Sequence, residues 1–222
     1  MEERIAQLGR LPFWKDLTTE QQEDIAHSTT IQQFPAGSMV HSCGGECLGL
    51  FLVQKGRVRA YLLSEEGREV TLFQMREGDI CTLSAACVME QIAFDTQMTA
   101  LEDCQLLVVN SGVVRRIMEE NIYARCFVYE MTTRRFTDVM QSMQQLLFLG
   151  VDQRLAVFLL RTSAAVDSRE IKMTHEQIAQ QISSAREVVA RMLKKFSAQG
   201  WVEVRRGSIR LLNKAGLEAL IQ

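Results

Sequence analysis

Between residues 31 and 107 the apolar segments are short, and glycines at 37, 44, 45, 49, 56, 67 and 78 break them up. Val58, Ala60 and Leu62 alternate with polar positions, Ser64-Glu65-Glu66-Gly67 supplies a turn, and Val70 and Leu72 alternate again. Period-two segments separated by turns at this interval predict an all-β sandwich or barrel. Before it, Pro12 to His27 reads as short helices, with Thr18 and Gln21 placed to cap one of them. After it, residues 121–149 read as one long helix, roughly 40 Å at 1.5 Å per residue. Phe136, Val139, Met143 and Leu146 follow one another along it at intervals of 3, 4 and 3. That is the seam of a two-stranded coiled coil, unless the chain's own barrel covers it. Gly150-Val151-Asp152 then interrupts the helix: Asp152 is expected to cap a helix from Gln153 to Ala164, and Gly150 to act as the hinge.

The last third changes character again. Two short helices are predicted from Thr174 to Phe196, each with its own capping box, Thr174 with Gln177 and Ser184 with Glu187. In the second, Val189, Met192, Leu193 and Phe196 make one apolar stripe, while Arg186, Glu187, Ala190, Arg191 and Lys194 share the other face. Trp201 to Leu212 reads as two strands around an Arg-Gly-Ser turn, a wing beside the helix pair.

Composition adds a charge asymmetry. Residues 151–222 carry 12 Lys+Arg against 7 Asp+Glu, a net of +5, and the first 150 residues a net of −7, for a total of −2. A basic module joined to an acidic body suits a tail that binds a phosphate backbone. No apolar run approaches the roughly 18 residues of a membrane span and no signal peptide is visible, so a cytoplasmic protein without membrane contact is expected. The six cysteines form no CxxC and are expected to be reduced. His27, His41 and His175 are scattered, so neither a catalytic metal nor an enzyme is indicated.

In this order, the parts resemble the cyclic-AMP receptor protein and fumarate-nitrate regulator family of bacterial transcription factors. The resemblance rests on Pro35-Ala36-Gly37, Leu52 through Val58, Gly67-Arg68-Glu69-Val70 leading to Gly78-Asp79, Phe148 through Ala156, and Arg186-Glu187-Val188-Val189-Ala190-Arg191. It implies an α+β chain. Residues 1–112 would form a cyclic-nucleotide-binding-like β-roll (a jelly roll) and 113–150 a dimerisation helix with the hinge. Residues 151–222 would form a winged helix-turn-helix that binds DNA.

On that resemblance Arg186, Glu187, Ala190 and Arg191 read bases, since arginine grips guanine O6 and N7 in two parallel bonds and glutamate accepts from cytosine N4. Thr174, His175, Ser183, Lys194, Arg205, Arg206 and Arg210 are the phosphate candidates. A homodimer would pair through Phe136, Val139, Met143 and Leu146 and read a pseudo-palindrome of TGTGA-like half-sites in double-stranded DNA, with RNA polymerase a further partner. The competing reading is an effector-binding module that regulates a partner protein without touching DNA.

The expected effector pocket draws on Cys81, Thr82, Ser84, Cys87, Arg135, Val139 and Met140. Cyclic-nucleotide members place a glutamate and then an arginine-serine pair in this region. Here Phe94-Asp95 falls about where the pair would be, and no Lys, Arg or His occurs from Glu77 through Val114. A buried phosphate diester without a cation is costly, which argues against cyclic AMP. Haem ligation through Cys81, with Met98 or Met140 opposite, is one alternative, and core filling by the cysteines is the other.

Overall fold

A computed structural model describes residues 2–42, 48–82 and 96–221. Among the described residues, helix α1 (Glu2–Leu8), a 3-10 turn at Trp14–Asp16 and α2 (Thr19–Ser28) precede eight short strands. These are β1 (Thr29–Phe34), β2 (Met39–His41), β3 (Leu50–Lys55), β4 (Arg57–Leu63), β5 (Glu69–Arg76), β6 (Ile80–Cys81), β7 (Gln97–Ala100) and β8 (Cys104–Val109). Then come α3 (Ser111–Glu120), α4 (Ile122–Phe148), α5 (Val151–Ala165), β9 (Glu170–Ile171), α6 (His175–Gln181), α7 (Arg186–Ala198), β10 (Val202–Arg205), β11 (Ser208–Leu211) and α8 (Lys214–Ala219). Among the described residues, no helix is long and apolar enough to cross a membrane.

The chain divides into two compact units, residues 1–62 with 72–139, and residues 63–71 with 140–222. In the first, two four-stranded sheets in the orders β1-β8-β3-β6 and β2-β7-β4-β5 face each other. Alternate residues of β3 explain its unbroken apolar run. Phe51 and Val53 point into the core between the sheets, while Leu50 and Leu52 join a second core built on α1–α4. Leu106 and Val108 of β8 divide from Leu107 and Val109 in the same way. A sheet covered on both faces shows no polar alternation. Gly56 turns β3 into β4 at φ 85°, where a Cβ would stand 2.6 Å from the Asp103 carbonyl oxygen, so only glycine fits.

The second unit has its own core, to which α5, α6, α7 and α8 contribute with Ile171, Val202, Ile209 and Leu211 of a three-stranded sheet ordered β10-β11-β9. Gly150, the expected hinge, is the N-cap of α5, and the Gln153 side-chain oxygen accepts its N–H at 3.0 Å. Asp152 is therefore not the cap but a first-turn residue. One of its carboxylate oxygens accepts the Gln153 N–H (3.0 Å), and the other lies 3.7 Å from Lys195 Nζ on α7.

The long helix keeps its predicted length, but its exposed apolar row differs from the predicted seam. Val139 packs against the core between the sheets, on the row that carries Ala124, Val128, Met131 and Arg135 toward the barrel. Phe136 and Met143 are exposed, while Leu146 is half-buried. The open row is Ile122, Cys126, Tyr129, Thr133, Phe136, Met140, Met143 and Leu147, at alternating intervals of 4 and 3. Val139 and Leu146 of the expected seam thus lie off the open row, which carries Met140 and Leu147 instead. Both rows are apolar, so spacing alone could not separate them.

Candidate nucleic-acid interface

The turn between α6 and α7 is built from local backbone chemistry. The Thr174 hydroxyl accepts the Gln177 N–H at 3.2 Å, and the Gln177 side chain accepts the Thr174 N–H at 2.8 Å, which closes the expected box. At the far end of α6, Ser183 takes φ 51° and the Ser184 N–H donates to Ala179 O at 2.9 Å. This six-to-one closure ends a helix on a left-handed residue, a place usually given to glycine. Because Ser184 completes it, α7 starts one residue later than expected. Ala185 is its N-cap and no side chain caps it, so the Ser184–Glu187 box does not form.

Ser183 is also corrected as a phosphate candidate. It is buried, and its hydroxyl accepts the Thr71 N–H at 3.2 Å, while the Thr71 hydroxyl donates to Gln180 O at 2.6 Å. Thr71 lies in β5, within the stretch 63–71 that groups with the second unit. The same unit holds a cavity of about 600 Å³ lined by Arg68, Glu69, Arg154, Glu176 and Gln180 among others. Burial, with the nearby Arg68 charge, pushes the Arg154 guanidinium below its ordinary range. Sequence reading passed over this cavity because its arginines lie far apart along the chain.

Helix α7 is amphipathic as predicted: Val189, Leu193 and Phe196 are wholly buried and Met192 packs beside them. The opposite face exposes Arg186, Glu187, Arg191 and Lys194, with Ala190 half-buried among them. Thr174 is exposed and His175 half-buried. β10 and β11 pair in the register Arg205↔Ser208, so Arg206-Gly207 forms the two-residue tip of the wing, with Gly207 at φ 76°. Arg205, Arg206 and Arg210 are exposed, and only Arg205 is paired, to Glu203 at 3.0 Å. Among the described residues, Arg186, Arg191, Lys194, Arg206 and Arg210 have no carboxylate within ion-pair distance. Unneutralised cations on an exposed helix and an exposed hairpin tip are what a phosphate polymer requires.

Of the expected effector residues, Ser84 and Cys87 lie outside the described residues. Cys81 is wholly buried in the core between the sheets, as is Met98, and Met140 sits on the open row of α4. Axial ligation by Cys81 and Met98 would require the porphyrin to displace that core, so these residues do not fit haem. Cys104 fills the same core. Its Sγ lies 3.1 Å from the carbonyls of Arg57 and Glu102, and burial pushes the thiol pKa up.

Arg135 is 8 % exposed, with Nη2 donating to Ile80 O (3.1 Å), Nη1 to an Asp138 carboxylate oxygen (3.0 Å), and its guanidinium 4.9 Å from the Phe73 ring centre. The sequence reading missed Arg59. It is 2 % exposed and lies 4.5 Å from the Tyr61 ring centre, although a lone arginine in a strand reads as a solvated charge.

Comparison with known proteins now adds to this geometry. Residues 31–121 match the cyclic nucleotide-binding domain and residues 153–220 the Crp-like helix-turn-helix domain. A crystallised transcriptional regulator of the Crp/Fnr family from Eubacterium rectale ATCC 33656 is 36 % identical, covers 96 % of this chain and 99 % of its own, and superposes with a TM-score of 0.89. The cAMP-activated global transcriptional regulator CRP of Pasteurella multocida is 25 % identical over 175 residues, 76 % of this chain and 83 % of that protein. The c-di-GMP-responsive regulator CLP of Xanthomonas campestris shares the fold, with a TM-score of 0.75 at 16 % identity over 87 % of this chain and 99 % of that one. With a β-roll, a long helix and a winged helix-turn-helix in this order, the chain belongs to the Crp/Fnr family of DNA-binding transcription regulators, not to a family of enzymes.

Proposed function

We propose that this regulator is a homodimer that couples a small effector in its β-roll to promoter binding by two copies of α7. Residues 1–112 sense, 113–150 pair the subunits and 151–222 bind DNA. The observation that carries the reading is the unpaired, exposed set Arg186, Arg191 and Lys194 on the face opposite the buried stripe of α7.

Arg186 and Arg191 each grip a guanine and Glu187 accepts from a cytosine, in TGTGA-like half-sites one DNA turn apart. Thr174, His175, Lys194 and the wing arginines hold phosphates. The open row of α4 pairs two copies, and Gly150 flexes as the effector shifts a two-state balance. RNA polymerase in the cytoplasm is the next partner. The cyclic AMP of the relatives does not carry over, since no Lys, Arg or His stands between Glu77 and Val114.

Arg191→Ala tests the base contact. In a mobility-shift titration at fixed salt, it should cost about 1–3 kcal/mol on the preferred duplex and relax base choice at one position. Unchanged affinity and preference would sink the groove assignment. Absence of any duplex binding by the unaltered chain, even at low salt, would favour a regulator of another protein.

A further inference from the structure

The expected effector region holds two buried donors that the fold leaves unpaired. Arg135 is 8 % exposed, and among the described residues its Nε has no hydrogen-bond partner. Thr82 is 2 % exposed, and among the same residues its hydroxyl has none either. The two segments are joined at β6, where Arg135 Nη2 donates to the carbonyl of Ile80, two residues before Thr82. Buried orphan donors are rare in native folds because each loses its water without recompense, and an absent ligand is one of the explanations that restores the balance.

The chemistry of the pair selects the guest. An N–H and an O–H together suit a group with two acceptor oxygens, and the guanidinium fork favours a planar one. The Arg135 charge is already shared with Asp138, whose side chain is 40 % exposed. One further negative charge is therefore the most this site can hold without a large desolvation cost. Among the described residues, apolar groups stand beside the pair: the Phe73 ring lies under the guanidinium, and Val139, on the same face of α4, packs on the core that contains Cys81.

From this we infer that the effector is a small monocarboxylate with an apolar body, its carboxylate accepting from Arg135 Nε and the Thr82 hydroxyl. The inference rests on the reading that the β-roll receives an effector, and it names the class. Arg59 and Tyr61 play no part in it.

The test uses the full chain and four probes: benzoate, the neutral isostere benzamide, phenyl phosphate and cyclic AMP. Binding is followed by calorimetric titration and by thermal shift. Benzoate should bind and raise Tm, and benzamide should do neither. Thr82→Val and Arg135→Gln should each weaken benzoate about tenfold to a hundredfold, the loss of one hydrogen bond to a charged group. Without ligand, Thr82→Val should melt no lower than the parent, because it removes an orphan hydroxyl, so it carries the test even if Arg135→Gln fails to fold.

Benzamide binding as well as benzoate, with the same loss in Thr82→Val, overturns the anion class and leaves the pocket standing. A preference for phenyl phosphate or cyclic AMP overturns the carboxylate. If no probe binds, the inference falls, while Arg191-dependent duplex binding, measured separately, still upholds the DNA reading.

Discussion

Phe136→Ala tests the proposed subunit interface most directly. Phe136 is 61 % exposed in the single chain and lies in the middle of the open row of α4. A phenylalanine side chain carries about 200 Å² of surface, so roughly 120 Å² per copy is available to a partner. At about 25 cal/mol per Å² this amounts to about 3 kcal/mol per copy, or about 6 kcal/mol for a symmetric pair. The alanine methyl and residual exposure in the dimer roughly halve it, leaving about 3 kcal/mol, or about two powers of ten in the dissociation constant. Sedimentation equilibrium over a concentration series reads that shift. Tyr123→Ala is the control, since Tyr123 is 60 % exposed on the same helix but outside the row. Equal weakening by both substitutions, or an intact dimer with Phe136→Ala, would show that the row is not the seam.

Two further predictions concern stability. Gly216→Ala should destabilise the C-terminal unit by several kcal/mol, because its Cβ would stand 2.6 Å from Cδ1 of the Trp201 indole, which packs 5.5 Å from the Phe196 ring; a urea midpoint equal to the parent's would contradict this. His41 is pushed below its ordinary 6.5 by burial, so as pH falls through 6.5 the unfolded chain takes up a proton that the folded chain refuses. Stability should therefore drop below that pH, and His41→Gln should flatten the drop in urea melts at pH 7.5 and 5.5.

Most of the DNA-facing half was readable from the chain alone. Capping boxes, helical stripes and two-residue hairpin tips are decided by neighbours within a few positions, so Thr174, the α7 faces and the Arg206-Gly207 tip follow from spacing. The helix starts there were off by a residue or two, and Ser183 proved buried rather than open to phosphate. Ser184 and Asp152 are competent caps, and only the backbone path around Ser183 and Gly150 showed which residue begins each helix.

The β-roll and the long helix depended on long-range packing. Period-two patterning forecast strands but not their pairing, and it concealed β3 and β8, whose two faces are both buried. On α4, Val139 and Met140 are neighbours of similar apolarity, and only the barrel pressed against one side decides which of them faces outward. Burial of Arg59 and Arg135 is likewise invisible in a linear pattern, because a charge leaves water only when distant segments fold over it. Local hydrogen bonds and periodicity are written in consecutive residues. The partner of a buried face is chosen by the whole fold.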